Sequence, residues 1–274
     1  MPQRRISILG CGWLGLPLAE LLTKNNYHIK GSTTTPAKLS LLKQKDIVPY
    51  HLVSQPELCG ERVKEFFESE ILFLNIPFKR NLPRADIYRQ QIQSVAAYLK
   101  DSPVKKVIFA SSTSIYPESN GPVDETTPID QSNERARVLF EIEQELLSLS
   151  GLRCVVIRFA GLFGPGRAIG SFLRKVDKEK LSNAPVNLIH LQDCLGIIEQ
   201  IIKQDISGVT LNACCDEHPL RKDLYARFLS SETMKSVVFI EPQENSFKIV
   251  SNSLLKRTLQ YKLVYPNPLT ALSN

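Results

Sequence analysis

The stretch ISILGCGWLGLPLAELL, Ile6 to Leu22, has two incompatible readings. Behind Arg4 and Arg5 it has the form of an export signal, a basic start followed by an apolar core. Divided into three pieces, it is a strand, a glycine turn and a helix that hold a nucleotide. An export core is a continuous apolar run ending at a small-residue cleavage site. Here the run is broken by Gly10, Gly12 and Gly15, a GxGxxG directly after the apolar ISIL, and Leu14, Leu18, Leu21 and Leu22 then repeat at helical spacing. The period changes at the glycines, which favours the nucleotide.

Each glycine has a task in a dinucleotide site. Gly10 permits the tight turn, Gly12 lets the main chain approach a pyrophosphate, and Gly15 lets the helix pack closely on the strand. The helix start adds free N–H groups and a partial positive charge, so Gly10, Cys11, Gly12, Trp13, Leu14 and Gly15 form the expected cofactor loop. Pro17 falls in the first turn or so, where little intrahelical donation is lost. Asn25 and Asn26 stop the helix, and YHIKGST is a second strand, completing a βαβ unit of about 30 residues.

In such a unit a carboxylate about 20 residues beyond the glycines grips the ribose hydroxyls of NAD. The sequence KGSTTTPAKL puts Ser32, Thr33, Thr34 and Thr35 there, with Lys38 beyond and no acid. Hydroxyls and a cation suit a 2′-phosphate, so NADP is expected over NAD, with Ser32, Thr33, Thr34 and Lys38 as ligands. NAD stays open as the alternative. Thr35 is expected to cap a helix that has Pro36 at its first position.

Composition narrows the class further. A chain of 274 residues, 43% hydrophobic and 23% charged, can bury a full core, and no apolar run reaches the ~18 residues of a spanning helix, so no membrane partner is expected. The net charge of +6 is dispersed among 28 acidic residues with no basic tail, so nucleic acid is not an expected partner. Six cysteines without a CxxC pair imply reduced cytoplasmic thiols, and four separated histidines give no zinc spacing and no metal site.

Apolar strand-length runs continue at 47–53, 71–76, 104–112 and 152–160. Helical patterns separate them, with Tyr88, Ile92, Val95 and Leu99 on one face and Leu139, Ile142, Leu146 and Leu149 on another. The alternation predicts an α/β fold with a doubly wound, Rossmann-type, mostly parallel sheet and a small, partly discontinuous C-terminal lobe. The expected boundaries are 1–160 for the dinucleotide-binding domain and 161–274 for a smaller substrate-side lobe, with about 186–213 returning to the first domain. Ligands of such sheets lie beyond the strands' carboxyl ends. That rule selects Asn75, Ile76, Pro77 and Ser111 for the cofactor, and the segments SSTSIY (Ser111 to Tyr116) and AGLFGPGR (Ala160 to Arg167).

The order of GCGWLG, SSTSIYP, RFAGLFGPGR, LIHLQD, VTLNAC and SLLKRTLQYKLVYPNP resembles the extended short-chain dehydrogenase/reductase superfamily across essentially the whole chain. GCGWLGLPLA, SSTSIYP, ARVL and GLFGPGR look particularly like its atypical branch of bacterial YeeZ-type NAD(P)-binding proteins. The superfamily usually carries a Tyr-xxx-Lys pair on the helix after the fifth strand. No tyrosine here has a lysine four residues on, and that helix, SNERARVLFEIEQEL, offers Arg135 and Arg137 instead. A positioned general acid is worth ~10² to 10⁴ in rate, about 3 to 5 kcal/mol, and arginine cannot donate the proton at neutral pH.

Other groups must then handle the proton. Ser112, four residues before Tyr116, matches the position of the superfamily's catalytic serine or threonine. Tyr116 is the nearest phenol and His190 is the residue type suited to proton transfer near neutrality, each with a packing role as its alternative. Arg137 and Arg167 are candidates for an anionic substrate, and Arg158 is expected to brace the following loop. The resemblance implies an NADP-dependent oxidoreductase, or an epimerase or dehydratase, acting on a small polar molecule in the cytoplasm; a homodimer is compatible with it. The missing pair motivates the alternative, a non-catalytic NAD(P)-binding sensor or scaffold.

Overall fold

The computed structural model describes residues 4–78, 84–167, 180–227 and 237–272. The described elements begin with β1 (Arg5–Leu9), α1 (Gly15–Lys24), β2 (His28–Thr33), α2 (Leu39–Gln44), β3 (Val48–Ser54), β4 (Leu58–Gly60), α3 (Val63–Phe66), β5 (Ile71–Leu74), α4 (Asp86–Lys100) and β6 (Lys106–Ser112). They continue with β7 (Pro122–Val123), α5 (Glu134–Ser148), β8 (Arg153–Phe159), β9 (Gly161–Phe163), β10 (Lys180–Ser182) and β11 (Leu188–His190). The last are α6 (Leu191–Lys203), β12 (Val209–Ala213), α7 (Arg221–Ala226), β13 (Val238–Ile240), β14 (Ile249–Val250) and α8 (Ser253–Leu259). None of these helices is long and apolar enough to cross a membrane.

Eight strands form one sheet in the order β12-β8-β6-β5-β1-β2-β3-β4. β1 pairs in parallel with β2 and with β5, β2 with β3, and β5 with β6, while β4 turns back antiparallel on β3. The chain winds outward from β1 to β3, then restarts on β1's other side, which makes the β1–β5 junction the topological switch point. Every residue of β5 is buried, as expected of a parallel strand covered on both faces.

The chain divides into two compact units. The first comprises 1–111, 131–157 and 201–210. Its core is built from sheet residues such as Leu72, Leu74, Val107 and Phe109, with Tyr88, Ile92, Val95 and Leu99 from α4 and Val138, Leu139, Ile142 and Leu146 from α5. The second comprises 112–130, 158–200 and 211–274 and carries three two-stranded parallel pairs, β10 with β13, β11 with β9, and β14 with β7. Residues 112–130 thus group with the later segments, and of 186–213 only 201–210 groups with the first unit.

Most predicted elements occur within a residue or two of their expected bounds. The run at 71–76 is shorter as a strand because Asn75 and the following residues leave the sheet, and Leu149 lies just past the end of α5 in an extended conformation. VNLIHLQ forms a strand and the start of a helix, with β11 paired to β9 and not to the main sheet, whereas VTLNA joins that sheet as β12. Thr35 does not cap with its side chain; its N–H donates to Thr33 Oγ1 at 3.1 Å, and Pro36–Lys38 forms only a 3-10 turn. At the end of α1, Asn26 takes a left-handed φ of 62° and the Tyr27 N–H donates to Leu22 O at 3.0 Å, which explains the stop signal.

Candidate functional site

Within the first unit, β1 runs into Gly10, whose φ of 110° would strain any residue with a side chain. A Cβ there would lie 2.5 Å from Asn75 O, and one at Gly15 would lie 2.1 Å from Gly10 O. Gly10 is therefore required by the turn and Gly15 by the close approach of α1. Gly12 differs from both. It is exposed, its φ is not positive, and a Cβ there would meet nothing within 4 Å among the described residues.

Three hydrogen bonds hold the loop from outside. Ser32 Oγ accepts the Gly10 N–H at 2.9 Å, Ser32 O accepts the Cys11 N–H at 2.7 Å, and Asn75 Nδ2 donates to Gly10 O at 3.0 Å. Leu14 precedes α1 and supplies no side-chain cap. The first N–H groups of any helix lack intrahelical partners, so this end offers donors and a positive dipole end to an anion. Cys11 is buried, and burial raises its thiol to about 12, so it acts as a packing group against β2 and not as a thiolate. The open space over Gly12 and the uncapped helix start fit a dinucleotide's pyrophosphate.

The expected 2′-phosphate ligands separate into two groups. Ser32 and Thr33 are buried, and their hydroxyl oxygens accept the N–H groups of Gly10 and Thr35. Thr34 and Lys38 are exposed, and their side chains make no hydrogen bond or ion pair among the described residues. At the switch point, Tyr88 donates its hydroxyl to Ile76 O at 2.9 Å and stacks on Phe78 at 4.3 Å, while Arg135 lies 3.7 Å over the Phe78 ring and donates to Phe78 O at 2.9 Å. The path of Asn75, Ile76 and Pro77 is thereby fixed, with Pro77 exposed. Ser111, at the end of β6, is buried and donates its hydroxyl to the fully buried Glu143 of α5. Arg137 is half-buried and donates to Gln131 O at 2.6 Å.

Ser112, Tyr116, His190 and Arg167 belong to the second unit. Ser112 is half-buried, and its Oγ accepts the Ser114 N–H at 3.1 Å, capping the 3-10 turn Thr113–Ile115. Tyr116 is only 2% exposed. Its hydroxyl donates to Asn212 Oδ1 at 2.8 Å and accepts from Arg158 Nη1 at 2.7 Å. Asn212 in turn donates its N–H to Glu125 Oε1 at 2.7 Å. Burial raises the Tyr116 phenol above its ordinary value, with Arg158 pulling the other way, and burial likewise raises the Glu125 carboxyl.

The Tyr116 hydroxyl is thus enclosed, its proton given to Asn212 and its oxygen accepting from Arg158. Arg158, 3% exposed, braces Tyr116. Lys248 holds the same segment through Tyr116 O at 2.8 Å.

His190 ends β11 and is 8% exposed. Its ring lies 3.9 Å from the Tyr265 ring and 5.1 Å from Phe163, edge-on. Nδ1 accepts the Gln192 N–H at 3.2 Å, which assigns the proton of the neutral ring to Nε2. Burial lowers its pKa, with the Asp193 carboxylate opposing. Asp193 accepts the N–H groups of Val264 at 2.7 Å and Tyr265 at 3.0 Å and the Tyr261 hydroxyl at 3.2 Å, so it seats Tyr265 beside the imidazole. Pro165 and Gly166, the latter at φ 72°, form a tight turn closed by mutual backbone bonds between Gly164 and Arg167. A Cβ on Gly164 would lie 3.2 Å from His190 Nε2, which puts this turn against the ring.

The sequence reading missed the Asn75 amide as a loop clamp, Glu143 as the partner of Ser111, and Asn212 with Glu125 as partners of Tyr116 and of each other. Only the Asn75 role had a visible signal, since a polar residue directly follows a buried strand beside the glycines.

Residues 80–193 match the model of the NAD dependent epimerase/dehydratase family. The chain is 31% identical to protein YeeZ of Escherichia coli (strain K12) over 276 aligned positions, covering 97% of this chain and 98% of that one. The solved structure of the Bordetella bronchiseptica enzyme WbmG in complex with NAD matches with a TM-score of 0.77 at 16% identity, covering 98% of this chain and 93% of that one. MoeE5 in complex with UDP-glucose and NAD matches with a TM-score of 0.75 at 13% identity, covering 98% and 96%. Fold, motif order and this full-length likeness agree, and the chain belongs to the NAD-dependent epimerase/dehydratase family of the extended short-chain dehydrogenase/reductase superfamily.

Proposed function

We propose that the chain binds a nicotinamide dinucleotide on the Gly10–Gly15 loop, NADP in preference to NAD, and acts as an oxidoreductase or an epimerase/dehydratase on a small polar, anionic substrate. Gly12 carries this proposal. Neither its backbone conformation nor its surroundings among the described residues require glycine, so the missing side chain serves a ligand that approaches the main chain. Similar folds solved with NAD support the choice of ligand, and the lack of a carboxylate after β2 supports the 2′-phosphate. The six unpaired cysteines fit the reducing cytoplasm.

When bound, nicotinamide supplies hydride transfer. The protein's part is to hold the dinucleotide by its main chain, polarise a substrate oxygen and manage one proton. Ser112 is assigned the polarising hydroxyl, because it is half-buried at a strand end and matches the superfamily position. His190 is assigned the proton, carried at Nε2, and Arg167 and Arg137 the substrate's negative charge. The absent Tyr-xxx-Lys pair and the enclosed Tyr116 hydroxyl favour a second reading, a dinucleotide-binding sensor or scaffold without turnover.

Calorimetry with NADPH, followed by turnover assays on carbonyl compounds and sugar nucleotides, separates the two. The catalytic proposal expects turnover that falls about a hundredfold in Ser112→Ala with NADPH affinity retained. Tight binding without turnover on any substrate supports the sensor, and absence of binding removes both.

A further inference from the structure

The corner of the first unit where β2 ends holds a residue that neither the glycine loop nor the proposed proton chemistry uses. β2 and β3 pair in parallel with Thr33 opposite His51. Where β2 runs out into Thr34, the neighbouring strand therefore presents an imidazole. Tyr50 and Leu52, on either side of His51, are buried, and the Tyr50 ring meets Phe66 of α3 at 5.3 Å. Alternation turns His51 to the opposite face. That is the face on which a Cβ at Gly31, the register partner of Pro49, would point at Leu42 of α2. Lys38 directly precedes α2, so Thr34, Lys38 and His51 share one corner of the fold.

His51 is half-buried, and Nε2 lies 3.4 Å from Thr34 O. A bond of that length to a neutral carbonyl is weak, and a hydrogen bond to an ionised phosphate is roughly twice as strong as one between neutral groups. Ser32 and Thr33 are buried, whereas Thr34 and Lys38 are exposed and His51 is half-buried, so the last three are the side chains open to an anion.

We propose that His51 recognises the cofactor's 2′-phosphate, forming with Thr34 and Lys38 a subsite for the phosphorylated ribose; this rests on the dinucleotide site proposed above. His51 is then a specificity residue, because the contact exists only for the 2′-phosphorylated nucleotide. A ligand without that phosphate leaves the imidazole on the Thr34 carbonyl, and its affinity does not depend on the ring.

Titration calorimetry on the full chain tests this with four probes, NADPH, NADH, 2′,5′-ADP and 5′-AMP, against wild type, His51→Ala, His51→Gln and Lys38→Ala. His51→Ala is expected to weaken NADPH and 2′,5′-ADP about five- to tenfold and to leave NADH and 5′-AMP within about twofold. Unchanged NADH affinity also shows that the variant is folded. His51→Gln, which keeps a neutral donor, is expected to lose less, and Lys38→Ala to show the same selectivity as His51→Ala.

Equal weakening of NADPH and NADH, no weakening of either, or a wild type that gains nothing from the 2′-phosphate overturns the assignment while the dinucleotide site stands. A wild type that binds none of the four probes overturns both.

Discussion

Asn75 Nδ2 donates to the Gly10 carbonyl at 3.0 Å, while the Asn75 N–H donates to Leu9 O at 3.1 Å. One residue after β5 thus ties down the turn after β1, at the point where the strand order reverses. The glycine loop is held from its neighbour strand as well as by its own backbone. Asn75→Ala is expected to cost about 1 to 2 kcal/mol by leaving the Gly10 carbonyl without this donor. Thermal unfolding should show a midpoint lower by roughly 2 to 8 °C. An unchanged midpoint would mean that the loop does not depend on this bond.

Tyr116→Phe distinguishes a brace from an acid. Removing the hydroxyl leaves Arg158 and Asn212 facing a void in a buried network. The expected result is a loss of about 1 to 3 kcal/mol in urea unfolding, with turnover down by less than tenfold. A fall of ~10² or more at unchanged stability would restore the acid role.

Stability should respond to pH through two imidazoles, the buried His190 and the half-buried His218. Burial lowers the pKa of His190 and of His218 from 6.5. The unfolded chain then takes up these protons at a higher pH than the folded one, so the contribution is complete above about 6.5 and is lost as pH falls through the folded values. Asp193 acts in the opposite sense from 3.8 upward, because burial raises its carboxyl. The readout is therefore the difference between wild type and variant. His190→Gln is expected to make the decline below pH 6.5 shallower by up to about 1.4 kcal/mol per pH unit. Superimposable profiles from wild type, His190→Gln and His218→Gln would contradict it.

The fold was legible because parallel strands buried on both faces leave nearly continuous apolar runs, and amphipathic helices such as Tyr88–Leu99 leave a stripe. The glycine loop was legible for a related reason: backbone constraints at Gly10 and Gly15 demand a residue type. Partnerships distant in sequence left no such trace. Nothing in SIYP announces that the Tyr116 hydroxyl meets Asn212, 96 residues away, or that Ser111 faces Glu143. Nor does the residue type of Ser32 and Thr33 announce that their hydroxyl oxygens accept the N–H groups of Gly10 and Thr35.

Gly12→Ala is the most direct test of the dinucleotide cradle, with Gly15→Ala as its contrast. The added methyl at Gly15 would lie 2.1 Å from Gly10 O and should destabilise the protein by about 1 to 3 kcal/mol or more. At Gly12 the methyl has open space, so the ligand-free thermal midpoint should stay within about 2 °C of wild type. NADPH affinity, measured by calorimetry on the same sample, should fall at least about tenfold as the methyl enters the pyrophosphate's place. NADPH bound as tightly by Gly12→Ala as by wild type would contradict the account.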